Sequence, residues 1–435
     1  MPENQNQPRE YDAVLGGQIT PPIAGVVLGG IDAVKQRLAS VSLEQRIAAL
    51  ADALKYGEAG LELIIQTLTD VSPEIQLTAE NLLFQHRTEP RVKQALQKYN
   101  PWLLFECLQT ISGHTDRVNT VAISPDGQTF ASGGGVEFVS ENSEVAKLWD
   151  LKTGHLLKTL VGHLSYIQSI VFNPDGQSVF TSCCETIKLW NLQTGEQEDI
   201  LTFATYANEV ESPARIRLFP MSGGIDSFAI SPDGHLLACR ITYQRMILVC
   251  DLQTRQQVRT LQRPHHGNHS HCLAITPNKQ ILVDANDSNR IDIWNLETGE
   301  LMRTLKAHSQ PVLSIAISPD GETLVSGDNN SIIKVWSLPT GEEKFTINAQ
   351  SGSILCVAIS PDGQNLISSC GDGTIKVWDL KTGQGKAICN RHAGVVRSVD
   401  ISPDGQTLVS GSVDGTIKIW GLPSGQEKVR SHFCN

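Results

Sequence analysis

Beyond residue 105 the chain runs in short stretches where apolar and polar positions alternate, each stretch closed by Gly, Pro, Asp or Asn. That period of two is the mark of a half-buried β-strand. The last stretch shows one whole unit. Residues 396–401 put Val396, Ser398 and Asp400 on one side and Arg397, Val399 and Ile401 on the other. Residues 402–405, Ser-Pro-Asp-Gly, form a tight turn, because Pro fixes φ, Asp bonds the local backbone and Gly tolerates unusual angles. A second strand over 407–411, a turn at 413–416 and a third strand over 417–420 follow. Ser424-Gly425 turns the chain into a fourth.

The unit repeats. Ser-Pro-Asp-Gly begins at Ser124, Ser231, Ser318, Ser360 and Ser402, with Asn-Pro-Asp-Gly at Asn173 and a degenerate Thr-Pro-Asn-Lys at Thr276. Those are seven copies, and the last three intervals are each 42 residues. A tryptophan follows in six of them, at Trp149, Trp190, Trp294, Trp336, Trp378 and Trp420; Val249 is taken as its counterpart in the third. Four short antiparallel strands per unit of this length predict the blades of a β-propeller.

Gly113-His114 and Gly162-His163, with Trp149-Asp150 and Trp378-Asp379, resemble the signature of the WD-repeat family over about residues 106–433. The expected fold is mainly β: a seven-bladed WD-repeat β-propeller preceded by a small all-α HEAT-like domain. The resemblance implies a hydrogen-bonded structural tetrad in each blade, complete as His392, Ser410, Asp414 and Trp420 in the last. It erodes elsewhere: Gln350 replaces the His in copy six, and Asn330 replaces the Asp in copy five. A polar set that satisfies itself is structural, so no catalytic residues are assigned and an enzyme is not expected. The resemblance also implies that residues 107–112, which look like 156–161, complete the last blade; residues 427–433 compete for that place. The nearly identical late copies, with Asp-Gly-Thr-Ile-Lys at Asp372 and at Asp414, resemble bacterial WD-repeat proteins of cyanobacterial type.

Residues 1–22 read as a polar arm. From Ile31 the apolar period becomes 3.6, predicting a helical module over 23–105 ahead of the propeller at 106–435. Val34 and Leu38 mark one helix, and Ser42 with Gln45 makes a capping box before Ile47, Leu50 and Leu54. Leu61, Ile64, Ile65 and Leu68 form the next, and Ser72-Pro73 caps a helix with Ile75, Ala79, Leu82 and Leu83 inward. The pair 61–70 and 72–86 resembles a HEAT-type hairpin, which implies a compact cap docked beside the last blade or on a partner.

Charge narrows the function. Residues 1–105 carry 9 basic and 12 acidic residues, a net of −3; the remainder carries 26 and 34, a net of −8. Neither part is basic, so no nucleic acid and no membrane surface is expected as partner. The start, MPENQNQPRE, has no apolar core of a secretory signal. The ten cysteines lack zinc spacing and read as reduced core thiols, so a cytoplasmic protein is expected. The run His265-His266-Gly267-Asn268-His269-Ser270-His271 has imidazoles enough for a metal. Alternation, however, turns Cys272 away from His269 and His271, and His266 aligns with the blade histidines. No metal and no cofactor is expected.

The insertions locate binding. Extra chain at 133–144, 202–225 and 262–268 emerges on one propeller face. The longest carries Tyr206, Arg215, Arg217 and Phe219, residue types enriched at hot spots. The same face holds residues flanking each first strand: Arg117, Asn119, Tyr166, Gln168, His269, His271 and Arg397. These form the candidate site for a protein or peptide of unread identity, on a scaffold expected to be a monomer, with the helical module as second surface. The alternative is an enzyme using a central-channel pocket, or a pigment handler, since the module also resembles HEAT-type bilin lyases.

Overall fold

The computed structural model describes residues 30–135, 145–183, 186–202, 215–217, 225–241, 245–264, 272–285, 288–390 and 392–421. The chain divides into two compact units, residues 1–104 and 105–435.

The first unit is helical: α1 (Ile31–Leu38), α2 (Leu43–Ala53), α3 (Gly57–Gln66), α4 (Pro73–Gln85) and α5 (Pro90–Tyr99). Each buries an apolar stripe, and Val34, Leu50, Ile64, Ile75, Leu83, Val92 and Leu96 are fully inaccessible. The Ser42 hydroxyl accepts from the Gln45 N–H as the α2 cap. Ser72 differs. It precedes Pro73 at the start of α4 but makes no side-chain cap; its hydroxyl donates to Glu74 at 2.7 Å while Asp70 Oδ1 accepts its N–H at 2.9 Å. Asp70 also takes an ion pair from Arg46, tying α2 to the turn before α4.

The second unit is a seven-bladed β-propeller. Its innermost strands are Val118–Ile123, Ser169–Phe172, Ile225–Ile230, Cys272–Ile275, Val312–Ile317, Ile354–Ile359 and Val396–Ile401. Each packs against the next, and the last against the first, so the ring closes. Blades 1 to 6 run outward in chain order. Blade 7 takes its outermost strand, Glu106–Ile111, from the other end of the unit, paired antiparallel with Ile417–Gly421 from Glu106↔Gly421 to Ile111↔Ile417. The core lies between blades, where residues such as Val118, Leu282, Leu324, Leu366, Leu408 and Ile417 are fully buried. Glycine permits the closest approach: a Cβ on Gly411 would meet Val118 Cγ1 at 2.5 Å.

Three details depart from the sequence reading. First, the inner strands of blades 1, 3, 5, 6 and 7 carry a β-bulge near their start, as between Val396 and Ser398, so simple alternation fails there. Second, Arg215–Arg217, within the long insertion, is a fifth strand pairing parallel with Gln197–Thr202 on the outside of blade 2. Third, Leu237 faces Cys250 across the sheet as Leu282 faces Trp294, so Cys250, not Val249, stands at the tryptophan position of blade 3.

Candidate functional site

The polar sets inside the blades explain how the loop-rich face is held. In blade 7, His392 Nε2 meets Ser410 Oγ at 2.7 Å and the Trp420 indole N–H donates to the same oxygen at 2.8 Å. His392 Nδ1 lies 3.1 Å from Asp414 Oδ2, and Asp414 also accepts from the Ala393 N–H and the Thr416 hydroxyl. The second-to-third-strand turn is thus bonded to the loop entering the blade. Every proton has a partner and nothing points at a substrate.

Blade 5 corrects the sequence alignment. Asn330 does not end the set there, because Asp328, two residues earlier, supplies the carboxylate at 3.1 Å from His308 Nδ1. His308 Nε2 meets Ser326 Oγ at 2.7 Å, and Trp336 donates to that oxygen at 2.9 Å. Blades 1 and 2 keep the inner part, His114–Ser132–Trp149 and His163–Thr181–Trp190. In blade 6, Trp378 still donates to Ser368 at 2.9 Å.

Blade 4 is built differently. Counting ten residues back from Trp336, Trp378 and Trp420 gives Ser326, Ser368 and Ser410, but the same count from Trp294 gives Asp284. Asp284 is fully buried and accepts from Arg240 Nη1 at 3.2 Å and Arg263 Nε at 2.7 Å, both arginines being buried as well. Arg240 occupies in blade 3 the strand position held by Gly133 in blade 1 and reaches across to blade 4. With the serine gone, the Trp294 indole N–H has no hydrogen-bond partner among the described residues. This buried Arg–Asp–Arg group escaped the sequence reading, although the ten-residue count exposes Asp284.

The candidate residues fall into three groups. Arg117 and Tyr166 precede the innermost strands of blades 1 and 2 and Arg397 lies at the start of that of blade 7, where it feels the charges of both. Arg397 is the extra residue of the blade 7 bulge, and its side chain is exposed. Desolvation lowers the pKa of its guanidinium, the like charge of Arg117 lowers it further, and Tyr166 counters. Beside them a cleft of about 310 Å³ is lined by Thr115, Asp116, Arg117, Val413, Asp414 and Gly415. Asn119 and Gln168 serve the framework. Asn119, the bulge residue of blade 1, donates its amide to the carbonyls of Gly135 at 3.0 Å and Ile167 at 3.2 Å, stitching blade 1 to blade 2. Gln168 donates to the Tyr166 hydroxyl at 3.0 Å and so positions it. Of the remaining candidates, Arg215 and Arg217 lie in the fifth strand of blade 2; Tyr206, Phe219, His269 and His271 lie outside the described residues. Among the described residues no three His, Cys, Asp or Glu side chains converge as metal ligands, and no helix is long and apolar enough to cross a membrane.

Acidification should expose the histidines. Burial, with Lys147 and Lys188 nearby, lowers His114 to about 4 and His163 to about 3, from 6.5. The folded state therefore binds fewer protons than the unfolded one, and the stability present above pH 6.5 is lost as pH falls toward 4. Asp400 opposes this: desolvation raises its carboxyl to about 6 from 3.8, against hydrogen bonds from the Ile123 and Ile401 N–H groups. Its contribution is fully present below pH 3.8 and lost as pH rises through 6. The drop in Tm between pH 7 and pH 4.5 is expected to be larger in Asp400→Asn than in the native chain; an equal or smaller drop would refute the assignment.

Comparison with known proteins agrees with the geometry. Residues 105–150 and 154–191 match the family model described as WD domain, G-beta repeat, and residues 269–432 match the one described as IFT122 first beta-propeller. The chain thus carries WD40 repeats wound into a seven-bladed propeller, a class whose members generally mediate protein–protein interactions and are typically non-enzymatic. Among individual proteins, it is similar to the periodic tryptophan protein 2 homolog of Dictyostelium discoideum, 26% identical over 204 residues. That similarity covers 47% of this chain and 15% of the relative's own length.

Proposed function

We propose that the protein is a non-catalytic interaction scaffold that binds an acidic protein or peptide segment at the channel mouth, on Arg117, Tyr166 and Arg397. The observation that carries this is Arg397 standing exposed on the blade 7 bulge, near enough to the Arg117 guanidinium and the Tyr166 phenol to feel both. Like charges held together weaken the free protein and are relieved by a carboxylate ligand. Arginine and tyrosine are also the side chains that dominate interface energetics. The bulge that presents Arg397 belongs to a framework strand, so the site is pre-organised. The helical hairpin of α3 and α4 would act as a HEAT-like second surface, and the free cysteines among the described residues suit a cytoplasmic setting.

The test is fluorescence anisotropy with a library of Asp- and Glu-rich peptides. Peptides that bind the native chain should lose at least tenfold in affinity on Arg397→Glu or Tyr166→Ala, with Tm unchanged within about 2 °C, as surface substitutions should behave. A sharp fall in Tm for Tyr166→Ala, or affinity unaffected by both changes, would remove the site.

A further inference from the structure

In five blades the tryptophan shares a hydrophobic cluster with a pair of residues from the preceding blade. Trp149 sits with Val409 and Ile419, Trp190 with Ala131 and Leu148, and Trp294 with Ala238 and Val249. Trp336 sits with Val283 and Ile293, and Trp378 with Val325 and Val335. In every case the pair is cross-strand partners in the second and third strands. The corresponding pair in blade 2 is Phe180 and Leu189. The residue that should cover it, in blade 3, is Cys250, and the serine that would accept its indole N–H is replaced by Cys239.

No ring covers the pair at this junction, where Phe180 packs with Cys239 and Cys250 instead, and a cleft of about 380 Å³ lies beside it, lined by Phe180, Ile187 and Leu189 on one side and Leu252 on the other. It lies on the face of the Pro-Asp-Gly turns, away from the channel mouth proposed above. Its rim offers acceptors. Asn173 lines the cleft, and its Oδ1 is buried with no hydrogen-bond partner among the described residues. The Asn173 amide N–H groups are already spent on Asp175 and Ser178. Asp175, Asp233, His235 and Arg255 give the rim charges of both signs, which favour a neutral anchor over a charged one.

We infer that the blade 2–blade 3 cleft is a docking site for a tryptophan side chain presented by a partner polypeptide. The floor repeats the surface on which indoles rest elsewhere in this ring, and the indole N–H matches the idle acceptor of Asn173. A pocketed aromatic anchor is the usual centre of a peptide-binding site.

The probe is the peptide Gly-Gly-Trp-Gly-Gly, followed by methyl NMR of the full chain, with N-acetyl-tryptophanamide as the free-ligand arm. The peptide should shift the Ile187 and Leu189 methyls saturably, with a Kd on the order of 1 mM or tighter, and more strongly than the free amide. A leucine peptide should bind at least fivefold more weakly. Cys250→Trp fills the cleft from within and should abolish the shifts while raising Tm. Should that variant fold poorly, Asn173→Ser, which installs the serine of the other turns, takes its place. It should weaken the tryptophan peptide about fivefold and leave an N1-methyl-tryptophan peptide unchanged. Absence of shifts at Ile187 and Leu189, tighter binding of the free amide, undiminished binding to Cys250→Trp, or equal losses for both peptides on Asn173→Ser would each overturn the inference.

Discussion

Asp284→Ala is expected to lower the stability of the propeller by about 3–5 kcal/mol, the cost of removing one partner from a buried ion group. The carboxylate is fully inaccessible and serves Arg240 and Arg263 together. Without it, two guanidiniums stay buried without the charge they share. The loss is one of electrostatic pairing and not of packing volume, which a compensated variant can show. Arg240→Gly, Asp284→Ser and Arg263→Ala in one chain install the residue types that blade 5 carries at these places, Gly327, Ser326 and Ala349, including an acceptor for the Trp294 indole. That triple variant should recover most of the stability, because replacing a whole buried ion group is often close to neutral. Chemical denaturation followed by tryptophan fluorescence measures both. A penalty under about 1 kcal/mol for Asp284→Ala would mean that the group is solvated and the assignment wrong.

Trp420→Ala is the second large effect, at about 3–5 kcal/mol through the cavity it leaves. Trp420 is almost completely buried, and its indole donates to Ser410. It also faces Cys107 in the closing strand, so its loss weakens the blade that joins the two ends of the unit. Limited proteolysis should then cut near Glu106–Ile111 well before other strands. Trp420→Phe keeps most of the apolar area and gives up one hydrogen bond, so about 1 kcal/mol is expected. If Phe and Ala cost the same, the hydrogen bond and not the packing would be what matters.

These two sites show what the sequence makes legible. Blade 7 could be read almost in full, because His392, Ser410, Asp414 and Trp420 stand at family spacing and the Ser-Pro-Asp-Gly turn has a local physical cause. Asp328 was missed because a carboxylate can reach the histidine from the end of the second strand as well as from the turn, and spacing alone does not separate the two. Blades 3 and 4 were opaque for another reason. Blade 3 loses its serine and its tryptophan together, as Cys239 and Cys250, while Arg240 and Asp284 change together across the junction with blade 4, and a repeat alignment compares units and not neighbours. The fifth strand at Arg215–Arg217 pairs across the long insertion, with no periodic signal to announce it. Alternation placed Arg397 alongside Val399 and Ile401; the bulge separates them and gives the candidate site its exposed cation.

The central claim is that partners are held at the channel mouth. Site-specific photo-cross-linking on the full chain tests it most directly, with the photoreactive residue at position 166 and, as control, at position 302, where Met302 is exposed on the outer strand of blade 4. The probe is the tightest acidic peptide from the anisotropy screen. A cross-linked adduct is expected from position 166 that Arg397→Glu suppresses, and none from position 302. Adducts of equal yield from both positions, or from 302 alone, would contradict it.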